Sequence, residues 1–175
     1  MRRVVIIGRG ASGKSTLAVQ LAEITRLPVI ELDRIFWQPG LVATPRDQWV
    51  AIQQELVKGE RWIMDGDLGP RDVIDLRLRA ADTVIFLDCS LVRCIWRAIR
   101  RSRERADFWR WLLAYRRQSR PILMQAIATH AAKADFYDLR NPRAVRRFVE
   151  QLARESSAAT GVVMSGTGLN RRVAR

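Results

Sequence analysis

The chain has 175 residues, 48% of them hydrophobic, enough for one domain around one core. No run reaches the ~18 apolar residues of a membrane span, and one histidine and two cysteines exclude a histidine-based triad, a multi-histidine metal centre, a disulfide framework and a four-cysteine zinc site. The net charge of +13 points to anionic partners, phosphates or nucleic acid, although arginine outnumbers lysine 28 to 3, a bias that coding composition alone produces.

Val4 to Ile7 is a continuous apolar run ending at glycine, the pattern of a buried parallel strand. Ser15 to Thr25 is a predicted helix with Leu17, Leu21 and Ile24 on one face. Leu27 to Leu32 is a second strand, closed by Asp33, and a polar loop with Pro39, Gly40 and Pro45 follows. Thr44-Pro45-Arg46-Asp47 predicts a helix start, with Thr44 as N-cap and Pro45 in the first turn, running to about Lys58. Arg61 to Met64 is a third strand closed by Asp65, Asp72 to Arg79 a short helix, and Thr83 to Leu87 a fourth strand closed by Asp88. Leu91 to about Arg105, Asp107 to Gln118 and Pro121 to Ala132 are helical, Asp135 to Leu139 is a fifth strand, and Asn141-Pro142 opens a last helix to about Glu155. The segment 1–155 is thus expected to form one domain. The Ser-, Gly-, Ala- and Thr-rich stretch 156–175 is expected to be a loosely ordered tail.

Strands alternating with helices imply an α/β fold: a five-stranded parallel sheet with helices on both faces. Right-handed crossovers put the carboxyl ends of the strands on one edge, where ligands bind in such folds. Gly8, Asp33, Asp65 and Asp88 all fall at predicted strand ends, so residues scattered in sequence converge in space.

Gly8-Arg9-Gly10-Ala11-Ser12-Gly13-Lys14-Ser15-Thr16 matches the phosphate-binding pattern G-x-x-x-x-G-K-[ST] in full. Small residues at Gly8, Gly10, Ala11, Ser12 and Gly13 let the backbone turn its N–H groups inward as an anion nest. The dipole of the following helix adds positive charge. Lys14 can reach β- and γ-phosphates, and the Ser15 hydroxyl can bind Mg²⁺, with Thr16 beside it. The strand before and the helix after distinguish this loop from an ordinary glycine-rich turn. ATP with magnesium is the expected ligand of this three-layer P-loop NTPase fold.

A short chain without an N-K-x-D guanine motif, and with an arginine-dense second half, favours a small-molecule kinase over a switch or motor protein. Trp62-Ile63-Met64-Asp65-Gly66 followed by Arg71 resembles the third strand of adenylate kinases. To about residue 152 the chain resembles the adenylate-kinase-like DNA topology modulation proteins more closely still. The resemblance is carried by the P-loop, Pro28–Asp33 with Phe36-Trp37, Thr44-Pro45-Arg46, Arg61–Gly66, Ala81–Asp88 and Tyr115–Pro121. Members often have Gly-Asn-Tyr-Ser after the third strand, where this chain has Gly66-Asp67-Leu68-Gly69-Pro70, a departure beside the expected acceptor site. The resemblance implies that an acid at Asp33 orients or deprotonates the acceptor hydroxyl. It also implies that the loop at Arg140 and Asn141 contacts the adenine through its backbone.

Asp65 is the candidate metal-holding acid, with Asp88 a competitor that also reads as a helix cap. Arg71, Phe36 and Trp37 lie where an acceptor is expected, and the two aromatic rings read equally as core. From Arg93 to Arg120 the chain has ten arginines and two acids. By the resemblance, this stretch (about 93–120) forms an arginine-rich helical lid, in which Arg97, Arg101, Arg116, Arg117 and Arg120 stabilise charge on a transferred phosphoryl group. A solvated basic face claims some of them. The expected activity is transfer of the γ-phosphate of ATP to a nucleotide or another small acceptor, by a cytoplasmic monomer. The alternative is an ATPase that grips nucleic acid through its basic segment.

Overall fold

The computed structural model describes residues 1–101 and 106–165. Its order is β1 (Arg3–Gly8), α1 (Lys14–Thr25), β2 (Val29–Glu31), α2 (Leu32–Phe36), β3 (Trp37–Gln38), β4 (Val42–Ala43), α3 (Arg46–Leu56), β5 (Trp62–Asp65), a 3-10 turn (Gly69–Arg71), α4 (Ile74–Ala80), β6 (Thr83–Leu87), α5 (Leu91–Arg101), α6 (Ala106–Ala114), α7 (Ser119–His130), β7 (Asp135–Leu139) and α8 (Pro142–Ser165).

Five strands form a parallel sheet in the order β2-β5-β1-β6-β7. The apolar run of β1 explains its central place: Val4, Val5, Ile6 and Ile7 are all fully buried. Side chains alternate across a strand, so β1 feeds two cores. Val5 and Ile7 join Trp49, Trp62, Met64, Phe86 and the apolar faces of α3, α4 and α7. Val4 and Ile6 join Leu17, Leu21, Ile63, Ile85 and Phe148, which pack α1 and α8 on the other face. The sheet is therefore a middle layer between two helical layers, as the strand–helix alternation predicts. In register, Gly8 faces Leu87 and Leu87 faces Leu139, so the P-loop opens at the same edge as the ends of β6 and β7.

Several boundaries differ from expectation, each for a local reason. β2 ends at Glu31 because Leu32 starts a short helix, so Asp33 lies in the first turn of α2 and not at a strand end. An acid is favourable there, beside the unpaired N–H groups of the turn. The expected polar loop contains a hairpin, with Trp37 paired to Ala43 and Gln38 to Val42. Thr44 is not the N-cap of α3; its hydroxyl donates to the Phe36 carbonyl at 2.6 Å, closing that hairpin. Pro45 takes the cap position without a side-chain bond. The helix expected from Asp107 to Gln118 stops at Ala114, because the Tyr115 carbonyl accepts the N–H groups of Ser119 and Arg120 and folds the chain into a turn. α8 continues past Glu155 to Ser165, where a loose tail was expected. The rest of that tail, 166–175, and residues 102–105 of the expected lid lie outside the described residues. Among the described residues no helix is long and apolar enough to cross a membrane.

Candidate active site

The P-loop leaves β1 through Gly8, whose φ of 141° suits only glycine. A Cβ there would lie 2.4 Å from the Leu87 carbonyl oxygen of the neighbouring strand. Ala11 takes a positive φ of 56° and Gly13 one of 101°, and Gly13 caps α1 in the left-handed conformation. Inversions of this kind are the backbone pattern from which anion nests are built. The Lys14 ammonium folds back over the loop and donates to Gly8 O at 3.0 Å and Arg9 O at 3.2 Å. Ser12 is buried, and its hydroxyl meets no hydrogen-bond partner among the described residues. Ser15 and Thr16 lie exposed in the first turn of α1, and Gly10 is buried in the loop. The positive-φ cradle, the folded-back lysine and the open hydroxyl of Ser15 fit a phosphate chain with its metal ion.

On one side of the loop stand acids. Asp65 ends β5 beside Ile6 of β1 and is 5% exposed. Asp67 follows the turn at Gly66 and is buried; one carboxylate oxygen accepts the Gly69 N–H at 2.9 Å and the other has no hydrogen-bond partner among the described residues. Burial pushes the Asp67 carboxyl up and Asp72 adds to this, against opposing pulls from Lys14, the Gly69 N–H and Arg77. Asp33 faces the same group. Loss of hydration raises its carboxyl, Lys14 lowers it, and Asp65, Asp67 and Asp72 raise it again. Its side chain lies at the surface, so solvent moderates these influences. Asp33, Asp65 and Asp67 therefore converge on the Lys14 side of the loop. Among the described residues no group of three or more acids, histidines or cysteines is spaced to hold a metal ion by itself. Ser15 and Asp65 would need the phosphates and water to complete a magnesium shell.

The turn after β5 is held from beneath by a buried network that sequence reading missed. Arg77 is fully buried; it donates to Gly66 O at 3.0 Å, to Gln53 at 3.2 Å and twice to Asp72. Burial alone would raise the Asp72 carboxyl, but Arg77 and the hydrogen bonds from Gln53 and Leu68 outweigh it and hold it below the usual range.

The predicted acceptor residues separate. Trp37 and Arg71 come together, the guanidinium lying 5.8 Å from the centre of the indole ring. Phe36 does not join them: it is 1% exposed, edge-on to Trp37 and Trp49, and cannot touch a ligand without unpacking the core.

The arginines separate too. Arg97 reaches the P-loop, donating to the Ser12 carbonyl at 2.7 Å. Arg120 pairs with Asp88 at 3.0 Å, which ties that acid to α7. Arg116 and Arg117 are exposed at the α6–α7 turn. The Arg101 side chain lies outside the described part of the structure. Arg140 pairs with Asp138 at 2.7 Å, and the Asn141 side chain caps α8 by accepting the Ala144 N–H at 2.9 Å. The cavity on that side, about 280 Å³, is lined instead by Ser12, Gly13, Thr16, Arg97, Pro142 and Val145. Arg9 is the further surprise: it is 2% exposed, with Tyr115 beneath its guanidinium at 5.4 Å. Its place inside the motif gave no signal of burial, because that position accepts any residue.

Parallel sheet, flanking helices and phosphate-binding loop together define a three-layer P-loop NTPase fold. No family model matches the chain, and no curated protein matches it in sequence. Solved structures do match. A shikimate kinase from Acinetobacter baumannii, in complex with shikimate, has a TM-score of 0.62 at 13% identity, covering 95% of each chain. A gluconokinase from Sinorhizobium meliloti 1021 has a TM-score of 0.52 at 17% identity, covering 95% of this chain and 98% of the other. A shikimate kinase from Aquifex aeolicus has a TM-score of 0.51 at 16% identity, with 90% and 98% covered. At these identities the likeness is one of fold.

Proposed function

We propose that the chain is a small-molecule kinase that transfers the γ-phosphate of magnesium-ATP to a hydroxyl group. The observation that carries this reading is Lys14, folded over the P-loop carbonyls of Gly8 and Arg9 and facing the acids Asp33 and Asp67. A phosphate-gripping cation and hydroxyl-activating acids thus share one edge. The resemblance to DNA topology modulation proteins agrees with it, since the shared motifs are those of a phosphotransferase.

In this reading Gly8 to Thr16 hold the phosphates, and Ser15 and Asp65 hold magnesium, which neutralises charge on them. Asp33 accepts the proton of the acceptor hydroxyl, a role for which a raised carboxyl is suited. Asp67 orients the hydroxyl or Lys14. Trp37 and Arg71 flank the acceptor. Arg97 and the cavity at Pro142 and Val145 receive the base of the nucleotide, in place of Arg140 and Asn141. Of the expected lid arginines, Arg117 is exposed at the α6–α7 turn and available to close over the transferred group, while Arg120 is held by Asp88.

Asp33 and Asp65 place carboxylates on the acceptor side, which disfavours an acceptor that already carries a phosphate. The structural likeness to kinases of small hydroxylated compounds agrees with this. The test is a panel of sugars, polyols, hydroxy acids, nucleosides and nucleoside monophosphates with Mg-ATP. Transfer to a non-phosphorylated hydroxyl compound is the expected result. Transfer confined to nucleoside monophosphates would contradict the acceptor assignment.

A further inference from the structure

A second cavity of about 280 Å³ opens where the carboxyl ends of β6 and β7 meet the α6–α7 turn. Arg9, Arg116, Arg120 and Arg140 line it, with Asp88 the one carboxylate among them. Ser90 and Leu91 also line it, and they begin α5, since the Cys94 N–H bonds to the Ser90 carbonyl. The N-terminus of an eleven-residue helix therefore faces this space, bringing partial positive charge. None of Gly10, Ala11, Ser12, Gly13, Lys14 or Ser15 lines it, so it lies apart from the phosphate nest.

Two of the four arginines are already neutralised, Arg120 by Asp88 and Arg140 by Asp138. Arg9 is not. As a residue it is 2% exposed, and its Nε is buried with no hydrogen-bond partner among the described residues. The Tyr115 ring at 5.4 Å supplies a cation–π contact. A permanently charged group with five donors is costly to bury in this way unless an anion meets it.

We infer that this cavity is a second oxyanion site, taking a phosphate or phosphate-monoester group between Arg9, Arg116 and the N-terminus of α5. Arg9 belongs to two sites at once. Its carbonyl accepts the Lys14 ammonium at the nest, while its side chain serves the second cavity.

The test is calorimetric titration with inorganic phosphate, and separately with glycerol 3-phosphate, on the full chain saturated with ADP and Mg²⁺ so that the nest is filled. One equivalent of phosphate is expected to bind. Arg9→Met should weaken that binding at least tenfold, Arg116→Ala should weaken it too, and Lys14→Ala should leave it intact. Phosphate should also raise the melting temperature of the wild type and not that of Arg9→Met. Tighter binding of the monoester would identify the occupant as a phosphorylated metabolite, and tighter binding of inorganic phosphate a free anion; either supports the site. Should Arg9→Met fail to fold, the exposed Arg116 decides the matter. Phosphate binding that vanishes with ADP present, that is lost in Lys14→Ala, or that ignores both arginine substitutions would overturn the inference, leaving the nest as the only anion site. Because the readout is binding, failure here is distinct from failure of the kinase reading, which would show as absent ADP binding or absent transfer.

Discussion

Arg77 and Asp72 are joined by two parallel hydrogen bonds of 2.7 and 2.6 Å, with side chains 0% and 3% exposed. The same guanidinium holds the Gly66 carbonyl, so this pair fixes the turn that directly follows Asp65 and carries Asp67. Removing the cation strands a buried carboxylate. Arg77→Met is expected to lower stability by about 3–5 kcal/mol, read by chemical denaturation. Adding Asp72→Leu to it should recover much of that loss. A single substitution costing under about 1 kcal/mol would show that the pair does not hold the turn.

Gly8 tests the loop from its other end. With φ at 141° and the Leu87 carbonyl 2.4 Å from any added Cβ, Gly8→Ala must shift either the loop or β6. A stability loss of at least about 3 kcal/mol is expected, together with loss of nucleotide binding. Wild-type ADP affinity in Gly8→Ala would contradict the geometry.

Arg97 bridges α5 to the P-loop through the Ser12 carbonyl at 2.7 Å. Arg97→Ala should weaken ADP binding about tenfold, the value of a charge-assisted hydrogen bond. Its bond lies at a partly exposed site, so the melting temperature should move little. The reverse pattern, unchanged affinity with a large loss of stability, would make Arg97 a packing residue.

Asp67 makes a pH prediction. Burial, then Asp72, raise its native carboxyl above the ordinary 3.8, so the folded chain holds a proton that the unfolded chain has already lost. Stability contributed by this group therefore falls as pH rises from about 3.8 through the native value, and levels off above it. Asp67→Asn lacks this loss. Its melting temperature should exceed the wild type's by a few degrees at neutral pH, and the gap should close below pH ~4. A gap that widens on acidification would mean that the native carboxyl is lowered instead.

How much of this was legible beforehand follows from what each feature depends on. The P-loop and the buried strand at Val4–Ile7 are local: a fixed spacing and an apolar run suffice to recognise them, and the exposed edge strand Asp135–Leu139 also keeps the expected bounds. The convergence of Asp33 and Asp65 followed from the crossover rule, although α2 moved Asp33 from a strand end into a helical turn. What stayed hidden depends on tertiary partners. Arg77 is five residues from Asp72 across a helix start, and its network needs Gln53 from α3. Phe36 and Trp37 are adjacent and alike in chemistry, and only the packing of Trp49 against Phe36 assigns one to the core. Arg9 occupies a free position of the motif, and its burial is set by Tyr115, far along the chain.

The most direct test of the central claim is phosphorus NMR of the protein with Mg-ATP and a pooled set of non-phosphorylated hydroxyl compounds, with Lys14→Ala alongside. The kinase account predicts a new phosphomonoester resonance growing in step with ADP, at a rate reduced roughly a thousandfold in Lys14→Ala while that variant stays folded. ADP appearing only with inorganic phosphate, faster when DNA is added and equally in the absence of any acceptor, would contradict it and make the chain a nucleic-acid-stimulated ATPase.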